Sequence, residues 1–355
     1  MIDKLRKKIN AIDMEILRLL NSRAEIVIQV GHAKLKANKE IYSPERERDV
    51  YARILSAGKG PFPASGLKNV FREIMSASLS LERPLKIAFL GPEATFTHQA
   101  CLNTFGSSAS FVPKKNIAEV FDDVEKDRAE LGVVPIENTT EGVVSHTLDL
   151  LVTSDLKICA EIMLEVSLAL MNKTGRLSDV GRVSSHPNPL AQSRNWLKAN
   201  LFNAEITELT STARAAQAAA EDGTGFIAAI ASEAAAKLYN LKIIERGIED
   251  SANNFTRFLV IGKKESRRTG ADKTSLVFAV KDAPGALFTM LEPFAKRRIN
   301  LTKIESRPMK TRAWEYIFFV DLDGHVADKK VRDAISELEE SCTFLKALGS
   351  YPRSK

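Results

Sequence analysis

The chain has 355 residues and a formal net charge of +6, with 44 % hydrophobic and 27 % charged residues. This length predicts two or three domains, at about 100 to 200 residues per domain. The composition is that of a folded globular protein and excludes a fibrous or wholly disordered one. No run approaches the roughly 18 to 20 apolar residues of a membrane helix, and residues 1–10 are too charged for a secretory leader, so a cytoplasmic location without membrane contact is expected.

Cysteine usage and charge narrow the classes of site. Cys101, Cys159 and Cys342 are far apart and form no CxxC pair, which argues against a disulfide framework and a zinc site. No metal is therefore expected. The basic balance suits nucleic acid or a small anionic ligand, and composition does not choose between them.

The N-terminal region predicts one very long helix. Residues 2–37 contain no proline, and apolar residues recur with heptad-like spacing from Leu5 to Val30. A helix of about 35 residues is about 50 Å long, whereas a domain of about 80 residues has a radius of gyration near 12 Å. One small domain cannot cover such a helix, so the overhang is expected to pack against a second copy of the chain.

Two shorter helices are expected before Pro84. Ser43 as N-cap, with Pro44 at the first helical position, begins the second helix, which ends at Gly58. The third spans about residues 64–82. Pro84 then closes an all-helical domain over residues 1–83.

Cations occupy core positions of this domain. Arg23 stands where the seam of the first helix requires an apolar residue, and Lys34 lies on the same face, about 20° around the helix. A buried unpaired charge is costly, so Arg23 should meet an internal carboxylate, snorkel to solvent, or bind an anion. Arg6 lies about 100° away and could serve only a neighbouring subunit.

The second and third helices add polar groups to this cavity. Arg46 and Glu47 follow the N-cap of the second, while Ser78 and Glu82 continue the apolar face of the third. A cationic cavity with hydroxyl and carboxyl groups, enclosed by helices, suits a small dianion.

The motifs LRKKINAID, NSR, VGHAKL, YSPERE and SASLSLE resemble the all-helical chorismate mutases. The residues that this resemblance assigns to the pocket are Arg23, Lys34, Arg46, Glu47, Ser78 and Glu82, with Arg6 of the other subunit. It implies that the cations hold the carboxylates and ether oxygen of chorismate, and that Glu47 takes the hydroxyl. The rearrangement to prephenate is pericyclic and needs no nucleophile or cofactor, only confinement and donors at the breaking C–O bond. An ionised Glu82 would repel the ether oxygen, so it is expected to work protonated.

Beyond Pro84, short apolar runs alternate with helical segments, which predicts an α/β domain over residues 85–264. Polar motifs follow or precede its strands: GPEATFT at 91–97, PIENTTEG at 135–142, SHPNPLAQ at 185–192, and the run 250–258. Ligands bind where the strands of open α/β sheets end, so these motifs predict a shared crevice. A lone histidine such as His186 is more often a satisfied turn residue than a catalyst.

These motifs, with STARAA and the triplet TRF, resemble prephenate dehydratase. The resemblance implies two α/β lobes, like those of a solute-binding protein, with the active site between them. It makes Thr256 the proton donor or positioner of the leaving hydroxyl, and Arg257 the residue that orders the site. The positions implied to bind substrate are Thr95, Asn138, Ser185, Gln192 and Phe258. Ala94 and Asn188 depart from the glycine and glutamine that are frequent in the family.

A charged stretch at 263–272 is interpreted as a linker, and the order βαββαβ that follows predicts a ferredoxin-like fold. Asp282 is predicted to cap the first helix there. PGAL at 284–287 and ESRP at 305–308 resemble a phenylalanine-sensing ACT domain, over residues 274–355. The positions implied to bind phenylalanine between paired domains are Gly285, Ala286, Leu287, Glu305, Ser306, Arg307 and Pro308.

The three resemblances together indicate a bifunctional chorismate mutase and prephenate dehydratase of phenylalanine biosynthesis, a homodimer or homotetramer without metal or organic cofactor. Two alternatives stay open at this point. A transcriptional regulator with a helical DNA-binding head and a two-lobed effector domain would use the basic charge on phosphates. It is disfavoured because one long helix with cations inside its seam differs from two short helices joined by a tight turn. A two-lobed carrier would bind prephenate and release it unchanged.

Overall fold

The computed structural model describes residues 1–37, 42–140, 142–251, 253–280, 283–308 and 316–354. The chain divides into two compact units. The helical unit contains residues 1–87 and 102–110, and the α/β unit contains residues 88–101 and 111–355. Among the described residues, no helix is long and apolar enough to cross a membrane.

Three helices form the bulk of the helical unit: α1 (Ile2–Lys36), α2 (Pro44–Ala57) and α3 (Ala64–Glu82). All three match the predicted ranges closely. Ser43 caps α2 as expected, since its side chain accepts a hydrogen bond from the backbone N–H of Arg46. The apolar seam of α1, from Leu5 to Val30, is exposed in the single chain.

A segment from beyond Pro84 also packs in this unit. The carboxylate of Glu73 on α3 accepts hydrogen bonds from the backbone N–H and hydroxyl of Ser107, at 2.9 and 2.7 Å. The rings of Tyr42 and Phe105 lie 5.3 Å apart. Residues 102–110 therefore belong spatially with the helices, which no local pattern in the sequence indicates.

The α/β region contains eleven strands and seven helices among the described residues of 86–262. In chain order these are β1 (Lys86–Leu90), α4 (Phe96–Phe105), β2 (Ser110–Lys114), α5 (Ile117–Glu125), β3 (Leu131–Asn138), β4 (Gly142–Val143), α6 (Ser145–Thr153), β5 (Lys157–Glu165), β6 (Ala169–Asn172), β7 (Arg182–Ser185), α7 (Pro187–Gln192), α8 (Arg194–Asn200), β8 (Glu205–Glu208), α9 (Thr212–Asp222), β9 (Ile227–Ala231), α10 (Glu233–Leu238), β10 (Lys242–Arg246) and β11 (Phe255–Gly262). A short 3₁₀ turn spans Leu177–Asp179.

These strands form two sheets, as the predicted two-lobed fold requires. The first has the order β2-β1-β3-β11-β5, with β4 paired to β3, and the second has the order β10-β6-β9-β7-β8. The chain leaves the first sheet after β5 and returns to it with β11. Because β11 pairs with both β3 and β5, the returning strand is central in its sheet.

The C-terminal region has the predicted βαββαβ order. Its elements are β12 (Asp272–Val280), α11 (Ala286–Lys296), β13 (Leu301–Pro308), β14 (Tyr316–Asp323), α12 (Lys329–Glu339) and β15 (Phe344–Pro352). The antiparallel sheet has the order β13-β14-β12-β15. Gly285 precedes α11 with a φ of +80°, while the predicted cap Asp282 lies outside the described residues.

The ferredoxin-like sheet and the first α/β sheet share one buried core. Side chains of β3 and β11, such as Val134 and Leu259, belong to the same cluster as Phe319 and Tyr351 of the C-terminal sheet. The stretch predicted as a linker is also fixed, because the hydroxyl of Ser266 donates to the carbonyl oxygen of Cys159 at 2.6 Å. The linker therefore does not separate two independent bodies.

Replacing Gly349 with alanine tests how closely β15 approaches β5. An added Cβ would lie 2.4 Å from the carbonyl oxygen of Ile158, at a φ of +151° that alanine rarely adopts. We expect the midpoint of thermal unfolding to fall by about 4 °C or more, because overpacking costs about 1 to 3 kcal/mol.

Gly270→Ala is the matched control for this experiment. Gly270 also has a positive φ, +85°, but no described atom lies within 4 Å of the added carbon, so only backbone strain remains. Equal midpoints for the two variants would contradict the close approach of β15 and β5.

Candidate active sites

The predicted cations of the helical unit face polar groups of α3. The guanidinium of Arg23 donates to the hydroxyl of Ser78, which in turn donates to the carbonyl oxygen of Ile74 at 2.6 Å. The ammonium of Lys34 lies 2.8 Å from a carboxylate oxygen of Glu82. The structure thus brings together four of the predicted pocket residues on two helices.

A glycine allows this close approach of α1 and α3. Gly31 is buried, and a Cβ there would lie 3.1 Å from the Cβ of Glu82. A larger residue would push Glu82 away from Lys34, one turn further along α1. That Glu82 works protonated stays a prediction, and its carboxyl lies beside the ammonium of Lys34.

Arg46 adds a second positive charge beside Arg23. Burial and the charge of Arg46 together lower the pKa of Arg23, and the charge of Glu82 opposes them only in part. Two guanidinium groups that repel each other, one half-buried and one exposed, would be stabilised by an anion bound between them. Such an arrangement can bind an anion.

Glu47 on α2 is an unusually weak acid. Although part of the residue remains accessible to solvent, burial raises the pKa of its carboxyl to about 8. At neutral pH the group is mostly protonated, so it can both donate and accept a hydrogen bond.

Arg6 does not join this cluster within one chain. Its side chain is 74 % exposed and lies 3.8 Å from Asp3. Along a straight helix it is about 25 Å from Arg23. Any contact of Arg6 with a pocket has to be with that of another subunit.

In the α/β unit, four side chains form a directed chain of hydrogen bonds. The amide of Asn138 donates to the hydroxyl oxygen of Thr256 at 2.8 Å and to the amide oxygen of Asn254 at 3.1 Å. The amide of Asn254 donates to Gln192 at 2.9 Å. Since Thr256 is the acceptor, its own hydroxyl proton is available for a ligand.

This network connects the two lobes. Asn138 and Thr256 are cross-strand partners on β3 and β11 of the first sheet, whereas Gln192 ends α7 beside the second sheet. Asn254, which is 2 % exposed, joins them. Asn254 lies within the polar run 250–258, but the sequence assigned no role to it. The available signal was its position two residues before Thr256, since side chains with this spacing share one face of a strand.

The other predicted substrate residues lie in supporting positions. Thr95 donates to the carbonyl oxygen of Pro92 at 2.9 Å, before α4. Ser185 donates to the carbonyl oxygen of Ile230 at 2.6 Å, and Phe258 is 1 % exposed in the core. His186 caps α7 through its ring nitrogen, in agreement with its interpretation as a turn residue. Ala94, where the family favours glycine, has a φ of +61°.

Arg257, predicted to order the dehydratase site as a catalytic residue, points away from Thr256. It is 7 % exposed and donates to Glu161 on β5 at 2.9 Å, to Asp321 on β14 at 2.6 Å and to the hydroxyl of Tyr351 on β15 at 2.9 Å. Consecutive strand residues face opposite sides, which explains the separation. Its contacts are with the C-terminal sheet, so it does not touch the network of Thr256.

The predicted effector residues lie in two places on the C-terminal region. Gly285, Ala286 and Leu287 form the start of α11, and residues 305–308 end the edge strand β13. Arg307 is turned toward the α/β lobe, since it donates to Asp149 on α6 at 2.8 Å.

Three family models match the chain in order. They are chorismate mutase type II over residues 5–83, prephenate dehydratase over residues 87–266 and the ACT domain over residues 274–340. A bifunctional chorismate mutase/prephenate dehydratase of Aquifex aeolicus is 51 % identical over 357 aligned residues, which cover 99 % of this chain and 98 % of the relative. The chain belongs to the bifunctional chorismate mutase/prephenate dehydratase family.

Solved structures agree with this membership and show the fold. The prephenate dehydratase of Arthrobacter aurescens in complex with L-Phe is 36 % identical, with a TM-score of 0.70, and the match covers 76 % of this chain and 90 % of that one. A protein described as a novel type of quorum quenching acylase is 29 % identical, with a TM-score of 0.69, over 76 % of this chain and 98 % of that one. The comparisons give no support to the DNA-binding regulator.

Family membership makes this chain a bifunctional enzyme with mutase, dehydratase and ACT domains. The outline that the sequence indicated is therefore confirmed: helical domain, two-lobed α/β domain, ferredoxin-like domain, and two activities in one chain.

Asn254→Ala tests the amide network. Removing its side chain takes one hydrogen bond from each of the half-buried side chains of Asn138 and Gln192, at about 0.5 to 1.5 kcal/mol per bond. We expect dehydratase kcat/KM to fall at least about tenfold, with mutase activity of the same preparation unchanged. Asn253→Ala, at the exposed neighbouring position, is the control. An equal loss in both variants would argue against a specific role of the network.

Proposed function

We propose that the helical unit rearranges chorismate to prephenate, and that the α/β unit converts prephenate to phenylpyruvate. The observation that supports the first reaction is the pair of like charges on the half-buried Arg23 and the exposed Arg46, which an anion between them would stabilise. The second rests on the hydroxyl of Thr256, which accepts a hydrogen bond from Asn138 and so has its own proton to donate.

In the mutase reaction one C–O bond breaks and one C–C bond forms within a single molecule. Arg23 and Arg46 attract the two carboxylates and hold the enolpyruvyl arm over the ring, which removes rotational freedom before the reaction. Lys34 is already fixed by Glu82, so it can donate to the ether oxygen as negative charge grows there. Glu47 takes the ring hydroxyl. Arg6 of a second subunit closes the pocket.

The pKa of Glu47 predicts how mutase activity depends on pH. The protonated carboxyl can hydrogen-bond the hydroxyl without repelling a dianion, and it loses its proton as pH rises through about 8. Mutase kcat/KM should therefore be steady near pH 6 and fall several-fold between about pH 7 and 9. In Glu47→Gln this decline should disappear, since glutamine keeps the hydrogen bonds and does not titrate.

Glu82→Gln is the matched variant for the pH experiment. It removes the other carboxyl of the pocket, which is paired with Lys34. We expect its profile to keep the decline near pH 8. A decline lost in Glu82→Gln and kept in Glu47→Gln would reverse the assignment of the titrating group.

In the dehydratase reaction the bond from the ring to its carboxylate breaks, and carbon dioxide leaves. The electron pair of that bond makes the ring aromatic while the C–O bond of the ring hydroxyl breaks. The hydroxyl leaves as water, so it needs a proton, which Thr256 delivers or directs. Asn138 and Gln192 orient the substrate between the lobes, where exclusion of water favours loss of the carboxylate charge.

The ACT domain is proposed to bind phenylalanine and to inhibit the dehydratase. The complex of the Arthrobacter aurescens relative with L-Phe supports this effector. The exposed position of Gly285 and Leu287 at the start of α11 leaves their surface available to the amino acid and to a second ACT domain.

A homodimer or homotetramer is proposed from the exposed apolar seam of α1. We also propose a cytoplasmic location, because the relatives act on small metabolites.

Incubating the purified chain with chorismate alone tests the proposed function. We expect prephenate to form first and phenylpyruvate to follow, without any metal or cofactor added.

Thr256→Val should accumulate prephenate, with phenylpyruvate formation reduced at least about a hundredfold, the lower end of general-acid catalysis. Thr256→Ser should keep measurable activity, because it keeps the hydroxyl. Unconverted chorismate in the wild type would overturn the first activity, and normal turnover in Thr256→Val would overturn the role of that residue.

A further inference from the structure

Two neighbouring residue pairs on β3 and β11 face opposite sides of the first sheet. Asn138 and Thr256 are cross-strand partners, and Glu137 and Arg257 are the next pair in register. Side chains of consecutive residues in a strand alternate between the faces. The hydrogen bond that holds Thr256 on one face is therefore backed, on the other face, by Glu137 and Arg257.

The C-terminal sheet supplies the partners on that second face. Arg257 contacts Asp321 and Tyr351, and the ammonium of Lys303 on β13 lies 2.6 Å from the carboxylate of Glu137. The nearest guanidinium nitrogen of Arg257 is 3.9 Å from Glu137 as well. Lys303 is two residues before Glu305, where the proposed effector segment of β13 begins.

The hydrogen bonds around Arg257 close into a ring with one consistent set of donors. Arg257 donates to the Tyr351 hydroxyl at 2.9 Å, and Ser275 donates to Asp321 at 2.5 Å. The Ser275 proton is then used, so the 2.7 Å contact between the two hydroxyls is a donation from Tyr351 to Ser275. Burial raises the pKa of Tyr351 well above its ordinary value, so this hydroxyl keeps its proton.

Such a ring transmits small displacements, because deforming it would break hydrogen bonds between buried groups. Glu161 completes it, accepting from Arg257 and from Lys273 on β12, at 2.9 and 2.8 Å. Two cations and two carboxylates balance, and moving β14 or β12 alone would leave a buried charge without its partner. The strands of the two sheets are therefore constrained to move together.

We infer that Glu137 and Arg257 are positioning residues of the dehydratase, and that they carry the phenylalanine signal from the ACT sheet to Thr256. Effector binding at β13 displaces Lys303, and Glu137 follows it. Because Glu137 and Arg257 are one residue from Asn138 and Thr256, the hydrogen bond that aims the Thr256 hydroxyl changes with them. This inference rests on the proposed function of the ACT domain.

The experiment compares Lys303→Gln with Lys157→Gln in the full-length chain. Each substitution removes one ammonium contact between the same two sheets, since Lys157 on β5 donates to the carbonyl oxygen of Ala347 on β15 at 2.9 Å. Only the partner of Lys303, Glu137, is next to a residue of the amide network, Asn138. For each variant we would measure dehydratase kcat and KM with and without phenylalanine, direct binding of phenylalanine, and mutase activity as a measure of intact protein.

Lys303→Gln should bind phenylalanine nearly as the wild type does, while the inhibition at saturating phenylalanine falls at least about fivefold. Lys157→Gln should be inhibited like the wild type.

Arg257→Lys keeps the positive charge but loses the planar guanidinium, which donates several hydrogen bonds in fixed directions. It should therefore lower kcat at least about tenfold with little change in the KM for prephenate. A purely structural role would lower the unfolding midpoint without this separation of kcat from KM.

The outcomes separate the inference from the function on which it rests. Equal inhibition of Lys303→Gln, Lys157→Gln and the wild type would overturn the inference while leaving regulation by phenylalanine intact. A wild type that makes phenylpyruvate but does not respond to phenylalanine would overturn the ACT assignment and the inference together. Normal kcat in Arg257→Lys would show that Arg257 does not position Thr256.

Discussion

The α/β unit depends on the packing of two sheets through a strand that is polar on both faces. Most central strands are apolar because both faces are buried, yet Thr256 and Arg257 are the second and third residues of β11. Thr256 is satisfied within its own sheet by Asn138 on β3, whereas Arg257 is satisfied by Glu161 on β5 of that sheet and by Asp321 on β14 of the C-terminal sheet. A buried guanidinium without those carboxylates would be strongly destabilising, so the ferredoxin-like sheet has to be present for this strand to be stable. The proposed effector domain and the proposed dehydratase site are thus connected through β11.

The helical unit uses charge in a different way. Lys34 has an internal partner in Glu82, whereas Arg23 has a hydroxyl and a neighbouring guanidinium. One of these cations is therefore held in place by the protein, and Arg23 and Arg46 keep the positive charge that the proposed dianionic substrate would need. If every cation were paired internally, the helical unit would be less able to bind an anion.

The sequence predicted element order well and side-chain partners less well. The caps of the helices and the alternation of strands are local signals, so α2, α3 and the βαββαβ order followed from them directly. The polar run 250–258 does not indicate a strand, because Thr256 and Arg257 are not apolar, yet β11 starts at Phe255 with pairing on both sides. The position of Arg257 behind the site could not be predicted, since Asp321 and Tyr351 are distant in sequence. Glu161 was equally hidden within the apolar run of β5.

The two units differ in what stabilises them. The α/β unit buries its own core, which includes side chains from the first α/β sheet and from the C-terminal sheet. In the helical unit the seam of α1 remains exposed along most of a 35-residue helix. Association with a second copy, as proposed above, would cover this apolar stripe, and the stability of the helical unit would then depend on protein concentration. The same association is what would bring Arg6 to a pocket it cannot reach within its own chain. On this argument, the same association would stabilise the helical unit and complete the proposed mutase site.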